Sequence, residues 1–505
     1  MSAVKNRQRA PILKKLFLAG IILTCSVFGI LLLIAVFKSG YGYQFDIDEL
    51  HHANLVYLYL HGYQPYRDIY NTFYTPLFEW VLAPAFLLFG FTFKTITFTR
   101  FIMIVLLIIR MGAMYVFAKT LWSRRVALFF LPLFLLDPFL VYSGMQIRTD
   151  NFMMTVFSIG LAFLAVGYVN KSIKYKNTAA FFLGLSLVVF MKVIPALLVI
   201  GAVVAVEEIR HKQYKTLAGM AFWALVPIFL FMLYGVIIGG ASEMWQQLIV
   251  ESQASYSNFR YPVAFGNYNR PDNIWVYGAM GEPLTWIYAW MFPLLGAAGW
   301  YQVIHSVASK NEKSTTATVK IMMWLLLIVE LIVMFRVPSV FLQHYLQLNW
   351  LFALFGAIAI DDLITAVSPF PIAWYSLVII LCLVFIPLTN TAIELDTSRG
   401  TIGMPETEAT YEKYWAQIPE NEPTFPSFLF RPQIYPVPFG DYVPNLPDSI
   451  LNRLPSIPAT LEKTKLKHLI IDDYTLNQLP RDAQTYIMSH YTLVSGDNQL
   501  RTRNQ

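Results

Sequence analysis

Cysteine is almost missing from this 505-residue chain: Cys25 and Cys382 are the only two, each inside an apolar run. A disulfide framework and a cysteine-based zinc site are therefore excluded. Charge is scarce as well. Asp, Glu, Lys and Arg make up 13% of the residues, about half the share usual in a soluble protein. Hydrophobic residues reach 56% and the mean hydropathy is +0.51. A string of soluble domains, a disordered chain, a coiled coil and a collagen are all incompatible with this composition. The net charge of +6 does not by itself exclude nucleic acid, but membrane orientation explains it better, and no nucleic-acid partner is expected. Aromatics are abundant, with 29 Tyr, 39 Phe and 12 Trp, and apolar runs are many. These features describe an all-α polytopic membrane protein with broad aromatic belts.

Five cations, Lys5, Arg7, Arg9, Lys14 and Lys15, precede the first apolar run, and the first acidic residue is Asp46. The apolar run 16–37 behind them reads as a retained first span with its N-terminus in the cytoplasm. The next run, 76–91, contains Glu79 and Pro84 and is short for a crossing. Counting it as a span would put Lys119, Arg124 and Arg125 outside, so it is expected to lie along the outer surface. Further spans are expected near 100–118, 126–142, 151–169, 178–190, 194–206, 216–238, 284–305, 321–335, 345–360 and 372–390, about eleven in all. This divides the chain into a transmembrane domain, 1–390, and an extracytoplasmic C-terminal domain, 391–505. The region 38–99 becomes a large first outer loop with surface helices. Ten prolines between 419 and 458 forbid long helices there and read as an extended, wrapping segment. Leu466–Tyr474 reads as a buried strand ending in an acidic turn, with a helical stretch after it through Tyr486. The tail is thus expected to be a small α+β module. The chain contains neither a repeat of 20–50 residues nor convincing inverted halves.

Candidate chemistry gathers at the outer ends of the spans. Twelve of the 40 residues from Tyr41 to Trp80 are aromatic, which suits a loop at the membrane interface. Asp46, Asp48 and Glu49 stand before the helical pattern Leu50, Ala53, Leu55, Val56, Leu58. Asp48 reads as a helix N-cap, as a carboxylate able to take a proton from a hydroxyl, or as both. His51, His52 and His61 add candidate metal ligands, although no metal-site spacing such as HExxH is present. In the short loop MQIRTDN, Arg148 and Asp150 can pair with each other or with a ligand, and Asp150 can instead cap the next helix. Lys192 interrupts an apolar stretch just before Pro195 and is expected at an outer turn, either snorkelling or holding an anion. Arg336 and His344 form a similar cationic pair on FRVPSVFLQHY. The segment 243–278, with Arg260 and Arg270, reads as a packing surface or a cover.

These residues, in this order, resemble the GT-C superfamily of integral-membrane glycosyltransferases, in particular the protein O-mannosyltransferase and aminoarabinose-transferase branches. The resemblance rests on Asp48-Glu49 after the first span, Gly62-Tyr-Gln-Pro-Tyr-Arg-Asp68, Thr75-Pro-Leu-Phe-Glu-Trp80 leading to Leu88-Phe-Gly90, Arg100, Arg148-Thr-Asp150, and Gly184 to Lys192 ahead of a proline. It implies catalytic roles for Asp48 or Glu49, joined by Asp150. Some branches work through a divalent metal, which here would fall to Asp48 and Asp150, and others need none. Two departures stand out. Thr75 occupies the place of a phosphate-contacting lysine in aminoarabinose transferases, which argues against aminoarabinose as the sugar. Thr149 replaces the proline of a common Arg-Pro-Asp motif.

The function expected is transfer of a single sugar, with inversion, from a polyprenyl-phosphate donor to a lipid, glycan or protein acceptor at the outer face of the plasma membrane. Donor phosphate contacts are expected from Arg148, Lys192, Arg336 and His344. The alternative is a transporter or lipid flippase. Transporters are commonly built from repeats with broken helices at the midplane, whereas here the polar residues lie at the span ends.

Overall fold

A computed structural model describes residues 23, 27–40, 42, 45–70, 75–251, 283–308, 314–336, 344–399, 404–426, 428–436 and 452–504. Apolar helices come first: α1 (Val27–Gly40), α2 (Ile47–Leu60), α3 (Leu77–Phe89), α4 (Phe93–Leu121), α5 (Arg124–Leu136), α6 (Pro138–Met145), α7 (Thr149–Val169) and α8 (Ile173–Val189). A 3-10 turn, Met191–Val193, then leads to α9 (Ile194–Arg210), α10 (Tyr214–Ile237), α11 (Ala241–Trp245) and a π turn, Gln246–Glu251. After them come α12 (Pro283–Ala308), α13 (Ser314–Arg336), α14 (Tyr345–Val367), α15 (Pro371–Arg399) and α16 (Met404–Gln417). The tail ends in α17 (Ile457–Thr464), β1 (His468–Ile470), α18 (Asp473–Gln478), α19 (Arg481–His490), β2 (Tyr491–Leu493) and β3 (Leu500–Arg503).

The protein is a multi-pass membrane protein. Among the described residues six helices, α4, α7, α10, α13, α14 and α15, are long and apolar enough to cross a bilayer, and α5 with α6 makes a seventh if that pair is one span. Helices also occupy the expected spans 178–190 and 194–206, but α8 and α9 have only 17 residues each. Of the expected first span, 16–37, residues 16–22 and 24–26 lie outside the described residues, and 27–37 belong to α1. The α5–α6 pair bends by 70° at Asp137-Pro138. Proline cannot continue the ladder of α5, and Asp137 turns that break into a new start by accepting Phe139 and Leu140 N–H at 2.9 and 3.0 Å. Its other carboxylate oxygen accepts from Asn349 at 2.8 Å and ties the break to α14.

The helices pack in close pairs, α7 on α8 and α4, α8 on α10, α12 on α14. Glycine permits two of these contacts. A Cβ on Gly184 would lie 2.1 Å from the Ala224 carbonyl oxygen of α10, and one on Gly299 would lie 1.7 Å from the Phe355 oxygen of α14. One large apolar core unites the bundle.

A second core joins α2, α3 and the start of α4 to the tail through Leu429 and Phe430. At 13 residues, α3 is about 20 Å long, too short to cross a bilayer core of about 30 Å. It buries Phe78, Leu82 and Phe86 while Leu87, Leu88 and Phe89 stay exposed. In the tail, β1, β3 and β2 form an antiparallel sheet in that order. The expected strand over Leu466–Tyr474 narrows to His468–Ile470, because Asp472 caps α18 by accepting Thr475 N–H at 2.7 Å. The helical stretch expected next is split by Pro480 and extends to His490. Part of the proline-rich segment, 437–451, lies outside the described residues. From Pro419 to Pro436 it runs without a helix among the described residues and meets β1 through Ile470 N–H and the Phe425 carbonyl, 3.1 Å apart.

Candidate active site

The N-terminus of α2 sets the site. Asp46, not Asp48, is its N-cap: Asp46 Oδ1 accepts Asp48 N–H at 3.1 Å, and Glu49 Oε2 accepts Asp46 N–H at 2.9 Å. The reciprocal pair is a capping box, and its acidic–x–x–Glu spacing begins two residues before Asp48. With Asp46 as cap, the Asp48 side chain is directed to Arg148 instead.

Glu49 is fully enclosed. Its carboxylate accepts from Arg100 Nε at 2.8 Å and Arg100 Nη2 at 2.6 Å, and from Ile147 N–H at 3.0 Å. Arg100 Nη1 donates to the Gly40 carbonyl at 2.9 Å, and the guanidinium lies 4.2 Å from the centre of the Phe45 ring. One ion pair thus fastens α1, α2, α4 and the loop before α7. Every oxygen of Glu49 is engaged in this, so its geometry is that of a tie rather than a base.

Arg148 is the hub. Its Nη2 donates to Asp46 Oδ2 at 2.7 Å, its Nη1 to Asp48 Oδ2, and its Nε to Gln146 Oε1 at 2.7 Å. Gln146 is itself held by donating to the Tyr142 hydroxyl at 2.9 Å. Burial pushes the Asp46 carboxyl above its ordinary range, against the pull of Arg148. Arg148 and Asp150 do not pair with each other, one of the alternatives their spacing left open. Backbone of Arg148 begins α7, and Asp150 lies in the first turn without capping it, so its carboxylate is available to Lys192 Nζ at 3.0 Å. Lys192 sits on the 3-10 turn between α8 and α9 as expected, 4.8 Å from the Phe190 ring centre. Burial lowers its pKa, Asp150 opposes that shift, and the charges of Arg148 and Asp48 are felt there too. Asp48, Arg148, Asp150 and Lys192 therefore form one partly buried cluster. Thr75 approaches the same turn, its hydroxyl donating to the Val189 carbonyl at 3.2 Å.

The three histidines do not converge. His52 Nδ1 meets Glu79 Oε1 at 2.7 Å in the buried face of α2 and α3, with Nε2 3.4 Å from the Thr149 hydroxyl. His61 is nine residues further along, bonded to the Tyr57 carbonyl at 2.8 Å. Burial, with His52 beside it, lowers the His51 imidazole to about 3, so it is neutral. Among the described residues no group of three or more His, Cys, Asp and Glu is arranged to hold a metal ion. Asp48 and Asp150, the pair that a divalent ion would need, each hold a cationic side chain. The donor set therefore does not fit a metal as it stands.

Arg336 is exposed at the last residue of α13, and His344 is buried at the start of α14, with 337–343 between them outside the described residues. Among the described residues Arg336 makes no ion pair and is not brought to the cluster. Arg260 and Arg270 lie outside the described residues.

Some contributors were not singled out by sequence. Arg110, on α4, is buried and reaches Asn151 Oδ1 at 3.5 Å, while Asn151 Nδ2 donates to the Ser143 and Gln146 carbonyls at 2.7 Å each. These contacts brace the loop that carries Arg148 from below. An arginine inside an apolar run was the available signal.

No family model and no curated protein matches the sequence. Solved structures do. ArnT from Cupriavidus metallidurans, crystallised bound to undecaprenyl phosphate, superposes with a TM-score of 0.62 at 13% identity, covering 96% of this chain and 98% of that one. The archaeal oligosaccharyltransferase AglB from Archaeoglobus fulgidus, in complex with an inhibitory peptide and a dolichol-phosphate, gives 0.52 at 11% identity, covering 95% of this chain and 75% of that one. Both are GT-C membrane glycosyltransferases, and the chain has the GT-C fold.

Proposed function

We propose that the protein transfers one sugar from a polyprenyl-phosphate carrier to an acceptor hydroxyl on the extracytoplasmic side of the membrane. The observation that carries this reading is the cluster itself: two carboxylates, Asp48 and Asp150, each held by a cation that a phosphate can also use, Arg148 and Lys192. Asp48 is the base. It takes the proton as the acceptor oxygen bonds to the anomeric carbon, and the bond from that carbon to the phosphate oxygen breaks on the opposite face. Inversion follows, by the geometry known for inverting glycosidases. The departing phosphate needs no proton, and its growing charge is met by Arg148 and Lys192. Arg148 turning toward the phosphate also releases Asp48 from its ion pair, which makes Asp48 a stronger base.

Asp150 positions Lys192 in this scheme, and Glu49 holds the helix start in place through Arg100 and the capping box with Asp46. Lys192 takes over from the lysine that Thr75 replaces, a role supported by Thr75 resting on the same turn. Arg336 and His344 remain weaker candidates for donor contact. The carrier lipid of the two structural relatives supports the donor class: undecaprenyl phosphate in one and dolichol-phosphate in the other. No metal is needed for these steps. The sugar and the acceptor class, whether lipid, glycan or protein, are set by pocket shape. Purified protein offered a polyprenyl-phosphate sugar or the matching nucleotide sugar should transfer from the lipid alone. Transfer from the nucleotide sugar with no lipid intermediate would overturn the donor assignment.

A further inference from the structure

At the opposite end of α2 from the carboxylates lies a cleft of about 560 Å³. One wall is the turn after α2, with His61, Tyr63 and Asp68, and the other is the tail segment with Gln433 and Tyr435. The two walls are tied by Tyr63 hydroxyl to the Gln433 carbonyl at 3.3 Å, by Tyr70 N–H to the Pro436 carbonyl at 2.7 Å, and by Phe430 N–H to Asn54 Oδ1 at 3.0 Å. The cleft is thus formed before any ligand arrives, and its volume is within the range of small-ligand sites.

Its chemistry is selective. Asp68 is fixed by Arg67 at 3.0 and 3.1 Å and by Gln64 N–H at 2.8 Å, so it presents an oriented carboxylate. His61 donates its Nδ1–H to the Tyr57 carbonyl, so Nε2 is an acceptor whenever the ring is neutral. The side-chain amide of Gln433 is buried and has no hydrogen-bond partner among the described residues, so it loses no bond by rotating toward a ligand. Among the described residues no lysine or arginine lines the cleft and the nearby Arg67 is paired with Asp68, which disfavours an anion, and the few aliphatic contacts disfavour a lipid chain. Acceptor-rich walls with an adaptable amide and tyrosines suit a molecule that offers many hydroxyl donors and no charge.

We infer that this cleft binds a neutral saccharide, as an acceptor subsite remote from the point of transfer. With 14 residues, α2 separates the two places by about 20 Å, so a single sugar cannot occupy both and an acceptor of several units is implied. The identity of this saccharide as acceptor rests on the glycosyltransferase reading above; the cleft's binding of it does not.

The test separates the two. Neutral oligosaccharides of three to six hexose units are titrated into purified full-length protein, with binding followed by ligand-observed NMR. The same titration is run on Asp48→Asn, Gln433→Ala and Asp68→Asn, with unfolding midpoints in detergent as the check on folding. Binding that persists in Asp48→Asn and weakens about tenfold or more in both cleft variants, at unchanged unfolding midpoints, is the expected result. A cleft variant whose midpoint falls is replaced by Tyr63→Phe, which keeps the ring and removes only the hydroxyl. No binding by the wild type to any of these saccharides, or binding that the cleft variants leave unchanged, would overturn the inference. Binding without any sugar transfer by the wild type would leave the cleft standing and count against the enzyme reading instead.

Discussion

Glu49 and Arg100, 51 residues apart, form a bidentate ion pair at 2.8 and 2.6 Å with both side chains almost wholly shielded from solvent. Its neighbour Asp48 keeps a partly exposed side chain bound to Arg148. Adjacent carboxylates of the same helix turn therefore have opposite fates.

Breaking the Glu49–Arg100 pair leaves a buried charge without its partner, which costs about 3–5 kcal/mol. Arg100→Met should accordingly lower the unfolding midpoint in detergent and reduce activity only as the protein unfolds. Glu49→Gln should do the same. The double variant Glu49→Gln, Arg100→Met should be less destabilised than the sum of the two singles. Strict additivity in that thermal series would contradict the tie.

Lys192 is expected to serve donor binding. Lys192→Met should raise the donor KM by several-fold to a few hundred-fold, about 1–3 kcal/mol for a charged hydrogen bond. Burial lowers the pKa of this amine, so it loses its proton at a lower pH than an ordinary lysine. Donor affinity should therefore decline as pH rises, starting below the ordinary lysine range, and Lys192→Met should remove that alkaline limb. A donor KM whose pH profile is the same in both proteins would rule out this role.

Helix packing at Gly299 has no room for a methyl group, since the Cβ would fall 1.7 Å from the Phe355 carbonyl oxygen. Gly299→Ala must push α12 from α14 and should cost roughly 1–3 kcal/mol, read as a lower unfolding midpoint. A midpoint equal to wild type would mean that the two helices are not so close.

The orientation read from the cations can be checked with single cysteines in a background lacking Cys25 and Cys382. An impermeant maleimide should label Thr485→Cys in intact cells and spare Arg124→Cys, both exposed positions. The reverse pattern would invert the protein in the membrane.

Much of this was legible in the sequence, for physical reasons that also mark where it stopped. Apolar runs long enough to span announced the helices, and the shortness of 76–91 with its Glu79 and Pro84 announced a short helix, α3, of 13 residues. Asp48, Arg148, Asp150 and Lys192 could be named because charge next to apolar sequence is costly unless it is used. Their partners could not. Arg148 reaches back about a hundred residues to Asp46 and Asp48, and Lys192 reaches 42 residues to Asp150, choices made by helix packing. The capping box was present as Asp46-Ile-Asp-Glu49, yet three acidic residues within four positions made Asp48 look like the cap. The expected span 126–142 ran straight through Asp137-Pro138, where the chain in fact bends by 70° and Asp137 meets Asn349.

The central claim is that Asp48 takes the acceptor's proton, and one measurement bears on it most directly. Transfer from a polyprenyl-phosphate sugar is measured under single-turnover conditions with purified wild type and Asp48→Asn, alongside their unfolding midpoints. Asn keeps the shape of the side chain and cannot act as the base. A rate lower by about 10²–10⁴ at an unchanged midpoint is the result expected of a lost general base. Transfer by Asp48→Asn at close to the wild-type rate would contradict the assignment.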